Sequence, residues 1–135
     1  MKRLVLVVAL LALGGCADPP DSTYLPALRQ DSMATWGPAG AATPVRSFAT
    51  GYRAGGTAAG KRRQAQILKV FQLADDAAAA AAVTAGWTAA QAAGWTPGAV
   101  RGLFIKAIAG GQGQLTVLRG DPDRRQVVLS LTVTP

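Results

Sequence analysis

Residues 126–134, Gln-Val-Val-Leu-Ser-Leu-Thr-Val-Thr, constrain the fold more than any other stretch of the chain. Val127, Leu129, Leu131 and Val133 point one way, and Gln126, Ser130, Thr132 and Thr134 point the other. Only Val128 breaks the polar side. A period of two with one wet face describes a strand whose sheet is packed on one side, which is the habit of antiparallel sheets.

Something must cover the apolar face, and residues 75–94 supply it. Asp75 and Asp76 stand where carboxylates cap free N–H groups and complement the positive end of a helix dipole. The alanines that follow have the highest helix propensity. Val83 and Trp87 lie one turn apart and define the expected buried stripe, which Ala90 and Ala93 extend. Gly86 weakens the middle by about 1 kcal/mol relative to alanine. Gly94 suits the left-handed position after a helix, Trp95 the apolar position beyond it, and Pro97 prevents resumption.

Further strands are expected over 45–53, with Arg46, Phe48, Thr50 and Tyr52 on one face, and over 66–73, 100–109 and 115–119. Residues 54–63, rich in glycine and small side chains, form the loop of the first hairpin. Gly110-Gly111-Gln112-Gly113 and Gly120-Asp121-Pro122-Asp123 are read as turns. Tyr24, Leu25, Leu28 and Met33 fit a short helix over 24–36, closed by Gly37-Pro38, with Trp36 packing on the body. The expected class is α+β: an antiparallel sheet, ordered β-β-α-β-β-β along the chain, with one Ala-rich helix on one face and a short N-terminal helix.

The N-terminus carries a different message. Lys2 and Arg3 precede an apolar run over 4–13, and Leu13-Gly14-Gly15-Cys16 closes it. The run is about half of the ~20 residues a membrane span needs, so it reads as a secretory signal. An ordinary signal with an incidental cysteine, or an uncleaved helix, is the bland alternative. Leucine, two small residues and then cysteine resembles the lipobox of bacterial lipoproteins. The resemblance implies a diacylglyceryl thioether on Cys16 and cleavage between Gly15 and Cys16. Two acyl chains at roughly 0.8 kcal/mol per buried CH₂ anchor stably where one is marginal. The implied location is the outer face of the cell membrane in a Gram-positive cell. In a Gram-negative cell it is the outer membrane, because Ala17 rather than an aspartate follows the cysteine. The division expected is signal peptide over 1–15, lipidated cysteine with spacer and short helix over 16–43, and one α+β domain over 44–135. Residues 64–135, with Ala-Ala-Gly-Trp at 92–95, are also similar in layout to small actinobacterial lipoproteins. That likeness brings no activity with it.

Charge and inventory narrow the chemistry. The chain is basic, with a formal net charge of +7, and all 7 acids are aspartate. Such a balance favours headgroups, anionic wall polymers or an acidic protein face. No basic-aromatic motif points to nucleic acid. Lys61-Arg62-Arg63 is the densest charge and the candidate anionic contact, or else a solvated loop. Gly55-x-x-x-x-Gly60-Lys61 has P-loop spacing, but Arg62 stands where that motif needs a hydroxyl, and no helix follows. Asp121 and Asp123 lack the further oxygens a calcium site needs. Asp75 and Asp76, adjacent on a helix, do not converge.

With no His and no Glu, a Ser-His-Asp triad and an imidazole-bound zinc are excluded. Asp-only or Ser-Lys chemistry has no signature, and Ser47 and Ser130 sit within expected strands. Cys16 is the only cysteine, so packing must hold the fold without a disulfide. Trp36, Trp87 and Trp95 are expected to pack the core of a small Ala-rich domain rather than to line a groove. The functional expectation is a non-enzymatic, lipid-anchored envelope protein without cofactor or metal that contacts another envelope component. A small-ligand or lipid carrier, with ligand held between helix and sheet, is the alternative.

Overall fold

A computed structural model describes residues 23–52 and 64–135 of the chain. Gly15, Cys16, Lys61, Arg62 and Arg63 lie outside the described residues, as does the glycine-rich stretch before Lys61. The architecture is α+β, with one antiparallel sheet of six strands and two α-helices. Helix α1 spans Tyr24–Gln30 and a 3-10 turn follows at Ser32–Ala34. Strand β1 is Arg46–Thr50 and β2 is Ala65–Gln72. Helix α2 spans Asp76–Ala92. Strands β3 (Thr96–Pro97), β4 (Leu103–Ile108), β5 (Gly111–Arg119) and β6 (Gln126–Thr134) complete the chain. In space the strands run β1-β2-β6-β5-β4-β3.

The last strand behaves as its pattern requires. Val127, Leu129, Leu131 and Val133 are fully buried. Leu131 faces Ile67 of β2 and Leu115 of β5, and Val127 faces Phe71, so the central strands present one continuous apolar face. Both helices pack on it: α2 over β5 and β6, α1 over β2 and β6. Leu28 of α1 and Met33 of the 3-10 turn join the same core. The opposite face carries a polar ladder in which Gln66 donates to Ser130 and Gln126 to Gln72.

The termini of α2 match their sequence signals. The Asp75 carboxylate accepts from the Ala78 N–H at 2.7 Å. At the other end the Trp95 N–H donates to the Ala90 carbonyl and the Gly94 N–H to that of Gln91, with Gly94 at φ +87°. That pair of bonds is a Schellman cap. The buried stripe differs from expectation. It comprises Ala79, Ala82, Val83, Gly86 and Ala90, and Trp87 stands half-buried at its margin. Gly86 is a packing requirement: a Cβ there would lie 2.8 Å from Val117 Cγ1 and 3.1 Å from Trp36 Cη2.

Three local expectations are corrected. The helix over 24–36 is interrupted at Asp31, whose extended backbone (ψ 137°) lets its side chain accept from the Met33 N–H and start the 3-10 turn. The last third holds four strands, because Thr96–Pro97 adds an edge pair to β4, where a proline lacking its N–H does no harm. The glycine stretch after β4 is mostly strand. The turn is Ala109-Gly110 alone, with φ +49° and +80°, the double positive φ of a two-residue type I′ hairpin. Gly111 and Gly113 lie inside β5 because their neighbours come too close: a Cβ would stand 2.7 Å from the Thr134 carbonyl oxygen and 2.6 Å from that of Lys106.

Two stability outcomes follow. Leu131→Ala will lower the unfolding free energy by about 2–5 kcal/mol in urea denaturation, while Thr132→Ala on the polar face stays within about 0.5 kcal/mol. Gly86→Ala, which helix propensity alone would favour, will instead destabilise by about 1–3 kcal/mol because Val117 and Trp36 are overpacked. Adding Val117→Ala should recover part of that loss relative to Val117→Ala alone.

Candidate functional site

The aspartates singled out in the sequence do not assemble a site. Asp75 is spent on its cap, and Asp76 pairs with Arg119 at 2.6 Å. Asp123 accepts from the Arg125 N–H at 3.0 Å and pairs with the Arg125 guanidinium, which together hold its pKa below the ordinary value. Among the described residues no group of three potential ligands could hold a metal. Ser130 accepts from Gln66 within the polar ladder. Ser47 stands opposite Lys69 in the β1–β2 register, but the Lys69 Nζ donates to the Ala34 carbonyl, and among the described residues no hydrogen bond joins it to the hydroxyl.

The tryptophans divide between two roles. Trp36 meets Phe71 edge to face, with centroids 6.0 Å apart. Trp95 is buried, and its indole N–H donates to Asp31 Oδ1 at 3.2 Å. Asp31 is the centre of a polar cluster within the apolar body. Its side chain is 4% exposed, and Lys106 Nζ of β4 lies 2.7 Å from Oδ2. Lys106 also donates to the Ala93 carbonyl at the end of α2 and sits over the Trp95 ring. Burial alone pushes the Asp31 pKa up and is the largest single influence. The Lys106 hydrogen bond, the Met33 N–H, the Trp95 indole and the Lys106 charge together outweigh it, so the carboxyl titrates below its ordinary value. With every oxygen partnered, this cluster ties α1, α2 and β4 together, and it offers no open position to a substrate.

Trp87 has the other role. Its Nε1 donates to the Val117 carbonyl at 2.9 Å, which fixes the ring between α2 and the sheet. Arg101 lies over that ring, its guanidinium carbon 5.1 Å from the centroid. A turn puts it there: the Leu103 N–H donates to the Val100 carbonyl, and Gly102 takes φ +87°, the requirement of the third position of a type II turn. Arg119, at the end of β5, donates through Nε and Nη2 to the Arg124 carbonyl and pairs with Asp76. These groups border an open cleft of about 490 Å³ along α2. Val83, Thr84 and Trp87 form one wall, Arg101, Arg119 and Arg124 surround it, and Leu118, 44% exposed, forms the lip. No carboxylate is among its lining groups.

This cleft is the candidate binding site, and sequence reasoning missed it. Arg101, Arg119 and Arg124 are isolated in sequence, whereas Lys61-Arg62-Arg63 is contiguous and draws attention. The available signals were the Gly after Arg101 and the turn between Arg119 and Arg124, each of which fixes where an arginine projects. Size and lining fit a small-molecule site, since such sites are concave, partly apolar and carry a few placed polar groups.

The Asp31 cluster generates a pH-dependent expectation. A carboxylate whose folded pKa is depressed adds stability that is present above its unfolded pKa, about 3.9, and is lost as pH falls through the lower folded value. Asp31→Asn will therefore cost about 1–3 kcal/mol at pH 7, because it removes the anion from Lys106, which solvent still reaches. The deficit relative to the parent protein will shrink as pH falls below about 4 in urea titrations.

No protein-family profile matches the chain, and neither a curated protein nor a solved structure does so.

Proposed function

We propose that the chain is a lipid-anchored protein of the bacterial cell envelope that acts by binding rather than by catalysis. The observation that carries the proposal is Leu13-Gly14-Gly15-Cys16 behind an apolar run that opens with Lys2 and Arg3. Among the described residues no helix is long and apolar enough to cross a membrane. In this reading the attachment is the thioether on Cys16. Seven residues separate Cys16 from Tyr24, the first residue of α1, and the eight steps between them at about 3.6 Å each reach at most about 29 Å. The domain therefore works close to the headgroups, with an envelope protein or an anionic wall polymer as neighbour and Lys61, Arg62 and Arg63 available to it.

A second reading, a small-ligand carrier, is favoured by the cleft between α2 and the sheet. It takes the place of the ligand groove that three tryptophans would have formed, because Trp36 and Trp95 are committed to packing and to the Asp31 cluster. In both readings residues 1–15 are removed.

Cys16→Ser tests the anchor. In a bacterial host that processes lipoproteins, the parent protein will fractionate with membranes and gain mass corresponding to a diacylglyceryl group. The variant will lose that mass and fall at least tenfold in the membrane fraction. Equal membrane recovery of the two forms would overturn the anchoring.

A further inference from the structure

The cleft beside Trp87 has a charge pattern more specific than a solvated surface. Three guanidiniums border it, and among the described residues Asp76, paired with Arg119, is the one carboxylate in an ion pair with any of them. Arg125 is occupied by Asp123, so neither contributes to the cleft. Arg101 and Arg124 have no ion pair among the described residues. With Asp76 offsetting Arg119, the cleft has two uncompensated cations.

The fold holds the Arg101 side chain and the Arg124 main chain in place. The Trp87 ring holds the Arg101 guanidinium, its carbon 5.1 Å from the centroid, and the guanidinium N–H groups form the planar fork that matches phosphate oxygens. The main chain of Arg124 is held by Arg119 through its carbonyl. Beside this charged end, Val83, Trp87 and Leu118 provide an apolar strip that would suit an organic body but not a bare ion.

We propose that this cleft binds a phosphate ester, its dianionic phosphate between Arg101 and Arg124 and its organic part along Val83 and Trp87. A carboxylate offers one charge and two oxygens to this arrangement. A phosphate monoester offers up to two charges and three terminal oxygens, enough for both forks. The inference deepens the binding reading of the cleft and is independent of whether Cys16 carries lipid.

The test is a titration of the full chain in non-ionic detergent with phenyl phosphate, followed by calorimetry and tryptophan emission. Binding should saturate, change the emission, and be at least tenfold tighter than that of inorganic phosphate or benzoate. Arg101→Gln and Arg124→Gln, both at exposed positions, should each weaken it at least tenfold with unchanged far-UV circular dichroism. Dibutyroyl phosphatidate and glycerol 3-phosphate then separate the sources. Tighter binding of the first assigns the site to a lipid headgroup, and tighter binding of the second to a soluble phosphate ester. Absence of saturable phenyl phosphate binding, equal affinity for benzoate or inorganic phosphate, or full affinity in the two folded variants would overturn the proposal. None of these results would bear on the anchor, which Cys16→Ser reads separately.

Discussion

The ion pair between Asp31 and Lys106 adds a directional polar tie between elements that also meet through the apolar core. Asp31 ends the first helix, Lys106 lies in the middle of β4, and the lysine also reaches the last turn of α2 through the Ala93 carbonyl. A charge in this position is costly unless each of its hydrogen-bonding groups is matched. Here the carboxylate receives the lysine, a backbone N–H and an indole N–H. The cost of desolvation is thereby offset, and the geometry of three elements becomes a condition for offsetting it. The pair specifies arrangement more than it adds stability.

That arrangement sets how closely α2 lies on the sheet. The helix offers mostly methyl groups and one glycine, so it approaches nearer than a leucine-rich helix would, with Gly86 against Val117 and Trp36. A large side chain at the centre of the contact would lift the helix off β5. The larger Trp87 is displaced to the margin, where its N–H finds the Val117 carbonyl and its face finds Arg101. The cleft is thus a by-product of packing: a small-residue helix seated tightly on a twisted sheet leaves an open flank, and the one bulky residue on that flank becomes a wall.

The two regions of positive charge have different physical characters. Lys61, Arg62 and Arg63 are adjacent along the chain, and their charge is legible from sequence alone. The cleft arginines are brought together by a type II turn, a strand end and the turn that follows it, each separately anchored. The anion preference proposed for the cleft rests on this placement by fold rather than on adjacency in sequence.

Several features were legible from residue order because their causes are local. Alternation in β6, the Asp75 cap, and the Gly94-Trp95 close of α2 depend on neighbours within a few positions, and the structure shows each of them. The α+β class and the antiparallel sheet follow from the same local periodicities. Asp31, Gly111, Gly113 and Thr96–Pro97 were misread because their roles depend on partners far along the chain: Lys106, the Thr134 carbonyl, and the facing β4. By itself, then, the order of residues determined the α+β class, helix α2 with both of its ends, the apolar face of β6, and the lipobox-like N-terminus. Tertiary structure alone decided that Trp87 lines a cleft while Trp95 donates to the Asp31–Lys106 pair, and that three scattered arginines border one cleft. Periodicity records what a residue does to its own segment, whereas convergence depends on how segments cross.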